Sequence, residues 1–154
     1  MSWEIKKILF PYDGSEDSGI AIDPAIHLAQ KEGAEVICLY VIHWPTVWAA
    51  PFDVPREELL ETLKIEAEKI LEEAVKKFEE AGIKVRKLLR EGSPASEIVK
   101  AASEEDVDLI VMSSHGTHST KSYLGSVARG VLDRTPKNVL IVKPAELPDP
   151  FAVP

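Results

Sequence analysis

The chain has 154 residues, the size of one domain rather than two. Hydrophobic residues make up 45% and charged residues 29%, which is typical of a folded domain and not of a disordered chain. Eighteen basic and 26 acidic residues give a net charge of −8, which disfavours nucleic acid and anionic membranes as partners. The single cysteine, Cys38, excludes an internal disulfide, and neither a signal peptide nor a membrane-length apolar run is visible, so we expect a cytoplasmic protein.

Five short apolar runs are predicted to be β-strands. They are Lys7 to Pro11, Glu35 to Ile42, Ile83 to Leu89, Asp108 to Ser113 and Asn138 to Lys143. The second, fourth and fifth runs are almost uninterrupted in Val, Ile and Leu. This pattern indicates parallel strands that are covered by helices on both faces.

Amphipathic stretches between these runs are predicted to be helices. They cover Asp17 to Lys31, Glu57 to Ala81, Pro94 to Glu104 and Lys121 to Leu132. Pro24 interrupts the first helix, which should kink there or restart with Asp23 as its cap. Gly82 stands where a C-terminal cap is needed, and Ser93 with Pro94 provides an N-cap followed by proline at the first helical position.

The strict alternation of strands and helices predicts a doubly wound α/β sandwich, in which ligands bind beyond the carboxyl ends of the strands. We expect residues 1–143 to form this single domain and residues 144–154, which contain four prolines, to form an extended tail. Between His43 and Pro55, three prolines and the aromatic residues Trp44, Trp48 and Phe52 predict a long ordered loop.

The turn after the first predicted strand carries a candidate ligand-binding carboxylate. Residues Pro11 to Ser15 read PYDGS, so Asp13 stands where a strand passes into a helix. Its side chain can accept hydrogen bonds from an amine or a hydroxyl of a ligand. The alternative is that Asp13 and Ser15 only cap the first helix.

A segment rich in small and hydroxyl residues follows the fourth predicted strand, and its composition suits an anion. Gly116 and Gly125 allow a ligand to approach the backbone, and a helix N-terminus supplies N–H groups and partial positive charge. Lys121 offers a counter-charge for phosphate. Hydroxyl groups come from Ser114, Thr117, Ser119, Thr120 and Ser126. The alternative is a serine-rich surface loop that only connects two elements.

The spacing of reactive side chains gives little support for a metal or catalytic site. His115 and His118 lack the third and fourth ligands that a stable zinc site needs. The phosphate-binding patterns GxxxxGK[ST] and GxGxxG are absent, and no Ser-His-acid order stands out. We therefore expect no dedicated metal site.

Three segments at the strand ends together resemble the universal stress protein family. They read KILFPYDGS at the first strand, EGSPASEIVKAASEEDVDLIVMSSHG through the fourth, and LGSVARGVLDRTPKNVLIVKP at the end. The resemblance covers about Ile5 to Lys143. It implies a three-layer α/β/α sandwich of the adenine nucleotide alpha hydrolase-like type, with a five-stranded parallel sheet in the order 3-2-1-4-5. It also implies a homodimer through antiparallel pairing of the last strands, here Asn138 to Lys143.

In ATP-binding members of that family, the loop that holds phosphate reads G-x-x-G, nine residues, then G-S or G-T. The corresponding segment here, Ser113 to Ser126, is called the phosphate loop below. It departs twice, because Ser113 takes the first glycine position and eight residues separate Gly116 from Gly125. The Cβ and hydroxyl of Ser113 are added where phosphate or ribose should approach, which is tolerable if its φ is negative. These departures predict weaker binding, a smaller nucleotide such as AMP, or no binding.

The resemblance also implies the roles of individual residues. Pro11, Asp13 and Val41 would line the adenine side of a pocket, and Met112 and Ser113 would lie near the ribose. Gly116, Gly125, Ser126 and Val127 would present backbone N–H groups, and Ser126 its hydroxyl, to the phosphates. ATP or AMP would carry Mg²⁺ or Mn²⁺ with it.

Two functions are consistent with these features. The first is a dimeric stress-response switch that binds an adenine nucleotide, hydrolyses it very slowly at most, and is read by an unknown protein partner. The second is a family member that has lost the nucleotide and works as a dimeric interaction module through the aromatic loop or the tail. A phospho-acceptor receiver domain is disfavoured, because Leu89-Arg90-Glu91 stands where its acceptor aspartate is needed.

Overall fold

Five parallel strands form the central sheet of the computed structural model, which describes residues 3–43, 51, 53–116 and 124–144. The strands are β1 (Lys7–Pro11), β2 (Glu35–His43), β3 (Val85–Gly92), β4 (Leu109–Ser113) and β5 (Asn138–Val142). Their order is β3-β2-β1-β4-β5, which confirms the predicted fold class and strand order. The strand order therefore reverses between β1 and β4.

The described residues form five helices, which cover both faces of the sheet. They are α1 (Glu16–Gly19), α2 (Ile22–Glu32), α3 (Arg56–Glu80), α4 (Pro94–Glu104) and α5 (Ser126–Arg134). Helices α2 and α3 pack on one face around Ile8 and Phe10, whereas α4 and α5 pack on the other around Leu9 and Ile110. Successive side chains of a strand point to opposite faces, so both faces of β1 and β4 must be apolar.

The prediction that β5 is covered on both faces is wrong. Within the described part of the chain, β5 pairs only with β4 and is an edge strand. Asn138 and Leu140 are exposed, and Leu140 retains 38% of its accessible surface. The apolar run does form a strand, but the face of that strand that carries Asn138 and Leu140 is exposed.

Several element boundaries differ from the predicted ones. β3 begins at Val85 rather than Ile83 and continues to Gly92, where φ is +146°. The last described helix begins at Ser126, and its predicted start, Lys121, lies outside the described residues. Gly125 is extended (φ −70°, ψ 163°) and is the N-cap of α5. The extended N-cap conformation of Gly125 therefore sets the start of the helix.

The predicted interruption near Pro24 is confirmed, but its cap is not. The stretch is divided into α1 and α2, and Asp23 lies inside the first turn of α2 while Ala21 is the N-cap. The other predicted caps agree better. Gly82 adopts a left-handed φ of +77° just after α3, and Ser93 is the N-cap before Pro94, although its side chain makes no capping hydrogen bond.

Candidate functional site

A cavity of about 300 Å³ opens at the carboxyl ends of β1, β2 and β4, where the strand order reverses. The structure places on its wall every residue to which the family resemblance gives a role. They are Pro11, Asp13, Val41, Met112, Ser113, Gly116, Gly125, Ser126 and Val127. The candidates Thr117, His118, Ser119, Thr120 and Lys121, the aromatic loop residues Trp44, Trp48 and Phe52, and residues 145–154 of the tail lie outside the described residues.

Asp13 is held in place by the turn that follows β1. Its Oδ1 accepts hydrogen bonds from the backbone N–H of Ser15 at 2.9 Å and from the Ser15 hydroxyl at 2.6 Å. The same hydroxyl accepts from the N–H of Ser18 at 3.0 Å and so caps α1. Ser15 is therefore a cap, as the alternative interpretation held, and it also orients Asp13 toward the cavity.

Gly116 approaches Asp13 so closely that a side chain does not fit between them. A Cβ built on Gly116 would lie 2.6 Å from Oδ2 of Asp13. Real Cβ atoms do not approach a carboxylate oxygen at that distance, so glycine is needed here for space. Gly116 of the phosphate loop is thus packed directly against the carboxylate after β1.

The N-terminus of α5 forms the opposite wall of the cavity. The N–H of Gly125 donates to the carbonyl of Ser114 at 2.7 Å, which joins the two ends of the phosphate loop. The N–H groups of Ser126 and Val127 belong to the first turn of the helix and have no acceptor within it. Backbone donors and the positive end of the helix dipole are suited to an anion.

The upper end of β2 presents backbone groups to the same cavity. β1 ends at Pro11, which pairs with Leu39, and the N–H of Tyr12 donates to the Leu39 carbonyl at 2.8 Å. Beyond this point β2 continues to His43 and pairs only with β3 among the described strands. Because the peptide groups of a strand alternate in direction, the N–H and C=O of Val41 point to the same side as the Leu39 carbonyl, into the cavity.

The electrostatic character of the described wall is mildly acidic. It carries the carboxylate of Asp13 and no lysine or arginine, so an anion there would depend on backbone N–H groups. Burial raises the pKa of the Tyr12 and Tyr40 phenols, and the negative charges of Glu73 and Glu66, respectively, together with Asp13, raise it further. Both hydroxyls therefore remain protonated at neutral pH and are available as hydrogen-bond donors.

The fold, the position of the cavity and the two strand-end motifs agree with one group of known proteins. The profile of the universal stress protein family matches residues 4–143. The chain belongs to the universal stress protein family. Within the residues described for this universal stress protein, no group of three or more His, Cys, Asp or Glu side chains is arranged to hold a metal, and no helix has the length and apolar character to cross a membrane.

Individual relatives cover nearly the whole chain. It is 39% identical over 139 residues to the universal stress protein MJ0531 of Methanocaldococcus jannaschii, spanning 90% of this chain and 82% of that protein. The solved structure of MJ0577 from the same organism is 36% identical, with a TM-score of 0.83 over 92% of this chain and 98% of the other. A universal stress protein crystallised in complex with cAMP is 26% identical, with a TM-score of 0.69 over 91% and 98% of the two chains.

Sequence reasoning missed part of the wall of this universal stress protein's cavity. The missed residues are Tyr12, Ser18, Leu39, Tyr40, Ile42, His43, Leu63, Pro94, Ile98 and Ala128. His115 also lines the cavity, whereas the sequence suggested it only as a metal ligand. Pro94 could have been found, because it follows β3 just as Asp13 follows β1. Leu63 could not, because it belongs to α3 and reaches the cavity only through the packing of that helix on the sheet.

Proposed function

We propose that the cavity binds an adenine nucleotide, ATP or AMP. The observation that carries this proposal is the pair of backbone groups on Val41, which face the N-terminus of α5 across one cavity. An N–H donor beside a C=O acceptor matches the N1 acceptor and the N6 amine of adenine. Pro11 and Asp13 flank the base in this arrangement, and Met112 lies toward the ribose.

The phosphate end of the proposed site lies at the phosphate loop. The proposed donors are the N–H groups of Gly116, Ser126 and Val127, together with the Ser126 hydroxyl. The N–H of Gly125, which the family resemblance would also assign to the phosphates, instead donates to the Ser114 carbonyl, so Gly125 contributes its place in the wall and not a donor. Because the described wall supplies no lysine or arginine, we propose that ATP would arrive with its own Mg²⁺ or Mn²⁺. The relative crystallised with cAMP supports an adenine nucleotide as the class of ligand.

Isothermal titration calorimetry with AMP, Mg-ATP, cAMP and GMP tests the proposal, and native mass spectrometry reports the stoichiometry. We expect one adenine nucleotide per subunit and at least about tenfold weaker binding of GMP, because guanine reverses the donor and acceptor order along its edge. Gly125→Val should abolish binding: the extended backbone of Gly125 accepts valine, but the new side chain adds bulk to the phosphate wall. An unliganded wild type at millimolar nucleotide would contradict the proposal and favour the interaction-module function.

We also propose that the nucleotide acts as a signal rather than as a substrate. The described wall meets an anion with backbone N–H groups, which hold a phosphate but do not activate a water to attack it. A cytoplasmic dimer that differs between its bound and free states, and is recognised by a protein partner, is the proposed switch.

The two edges of the sheet differ in a way that supports a homodimer through β5. On β3, Lys87 forms ion pairs with Glu68 and Glu72 of α3. On the opposite face, Arg90 forms an ion pair with Glu97 at 2.9 Å. Charged side chains along an edge strand oppose pairing with another chain. β5 has no charged residue between Asn138 and Val142 and exposes Leu140, so we propose that β5 pairs with its copy about a two-fold axis.

The variant Leu140→Lys should convert the proposed dimer into a monomer. A lysine on each copy of the exposed β5 face would place like charges near the two-fold axis of the interface. Light scattering at micromolar concentration should give half the wild-type mass. Ile65→Lys is the matched control, because Ile65 is 54% exposed on α3 and should leave the mass unchanged. A wild-type monomer, or an unaltered mass for Leu140→Lys, would count against this interface.

A further inference from the structure

Ser113 occupies a position where its side chain was expected to obstruct the nucleotide, and the structure shows a different arrangement. It is the last residue of β4 and only 6% exposed. Among the described non-glycine residues a positive φ occurs only at Asp106, so the backbone of Ser113 is unstrained. Its hydroxyl donates a hydrogen bond to the carbonyl of His115, two residues further on. The oxygen that serine adds is thus engaged within the loop.

A second serine, Ser114, contacts the imidazole ring of the same histidine. The hydroxyl of Ser114 lies 2.7 Å from Nδ1 of His115, a residue that is only 8% exposed. His115 is therefore fixed both at its carbonyl, by Ser113, and at its ring, by Ser114. We call this arrangement of Ser113, Ser114 and His115 the serine clasp.

The serine clasp lies where the two ends of the phosphate loop meet. The N–H of Ser114 donates to the carbonyl of Val142 in β5 at 2.9 Å, and its carbonyl accepts from the N–H of Gly125 at 2.7 Å. On the other side, Gly116 follows His115 directly and packs against Asp13. The clasp is thus bonded to the N-cap of α5 and adjoins the residue that packs against Asp13.

We propose that Ser113 is a positioning residue, whose hydrogen bond to His115 pre-organises the described ends of the phosphate loop, residues 113–116 and 124–126, for the phosphate of the nucleotide. This inference rests on the proposed nucleotide site. A loop that is already ordered loses less conformational freedom when it binds, so its donors contribute more of their energy to affinity. In this chain, the Ser113 hydroxyl fixes His115 at the start of the loop, at a position where the resembling family carries glycine.

The test compares AMP with adenosine, which lacks the phosphate. In Ser113→Ala, we expect the affinity for AMP to fall about 2- to 10-fold, the effect of one hydrogen bond, whereas that for adenosine changes less than about twofold. Ser113→Gly should weaken AMP binding at least as much, because it removes the hydroxyl and frees the backbone. Ser103→Ala, an exposed serine on α4, is the control and should change neither affinity.

Two outcomes would overturn the proposal. If Ser113→Gly binds AMP as well as the wild type or better, the serine is an obstruction and not a positioning residue. If Ser113→Ala weakens AMP and adenosine equally, the hydroxyl supports the fold in general and not the phosphate loop in particular.

Hydrogen exchange in the ligand-free protein separates this inference from the proposed function. The amide of Gly125 is bonded to the Ser114 carbonyl, so its exchange reports the order of the loop directly. We expect exchange at Gly125 to be at least about fivefold faster in Ser113→Ala. If the wild type binds neither AMP nor adenosine, the proposed function fails, and this exchange measurement alone decides whether the clasp orders the loop. Unchanged exchange at Gly125 would overturn the clasp whatever the protein binds.

Discussion

Replacing Gly116 with alanine should lower the affinity for adenine nucleotide by more than about tenfold. The added Cβ would lie 2.6 Å from Oδ2 of Asp13, so one of the two must move. Asp13 is held by both the N–H and the hydroxyl of Ser15, at 2.9 and 2.6 Å, and its displacement breaks those hydrogen bonds. Disruption of such charge-assisted bonds costs roughly 1.5–3 kcal/mol, and the change falls where base and phosphate loop meet. Calorimetry with AMP measures the effect.

Gly33→Ala is the control for a general loss of stability. Gly33 has a left-handed φ of +67° at the end of α2, and a Cβ added there would meet no neighbouring atom within 4 Å. Alanine there is strained by roughly 1 kcal/mol, but it lies away from the cavity and should leave the affinity unchanged. Equal affinities for Gly116→Ala and the wild type would show that the contact between Gly116 and Asp13 does not shape the site.

Truncation of Phe78 to alanine should be the most destabilising single change on the α3 face of the sheet. Phe78 is fully buried near the end of α3, and its ring packs edge-on against Phe10 of β1 with centroids 5.4 Å apart. Removing a buried phenylalanine costs about 3–5 kcal/mol, because apolar contacts are lost and a cavity remains. For a chain of this length we expect the melting temperature to fall by about 10 °C or more. Calorimetric or circular dichroism melting measures it.

The matched control lies on the same helix. Ile65 is 54% exposed on α3, so Ile65→Ala should change the free energy of unfolding by less than about 0.5 kcal/mol. A loss for Phe78→Ala as small as that for Ile65→Ala would mean that α3 does not anchor the sheet through Phe78.

The sequence predicts the fold well, because the hydrophobic periodicity and the positions of glycine and proline indicate the same strands and helices. Apolar runs of strand length alternate with amphipathic stretches, and glycine or proline marks several of the junctions, as at Gly82 and Pro94. The error at β5 has a physical cause. An edge strand that exposes Leu140 has the same composition as a buried strand, so composition alone cannot reveal which side of it is uncovered.

The candidate site is predicted in its outline but not in its detail. The turns after β1 and β4 lie near each other because the strand order reverses between them, and that follows from topology. The direction of a side chain does not follow from topology. The hydroxyl of Ser113 donates a hydrogen bond to the His115 carbonyl instead of projecting toward a ligand. Tyr40 of β2 contributes to the cavity wall, and its position in an apolar run gives no sign of that.

A crystal structure of the protein with bound AMP tests the proposed nucleotide site. We expect adenine with N1 and N6 within hydrogen-bond distance of the Val41 N–H and C=O, and the phosphate at the N–H groups of Ser126 and Val127. A nucleotide bound elsewhere, or a base turned away from Val41 with its phosphate in solvent, would contradict the proposed site.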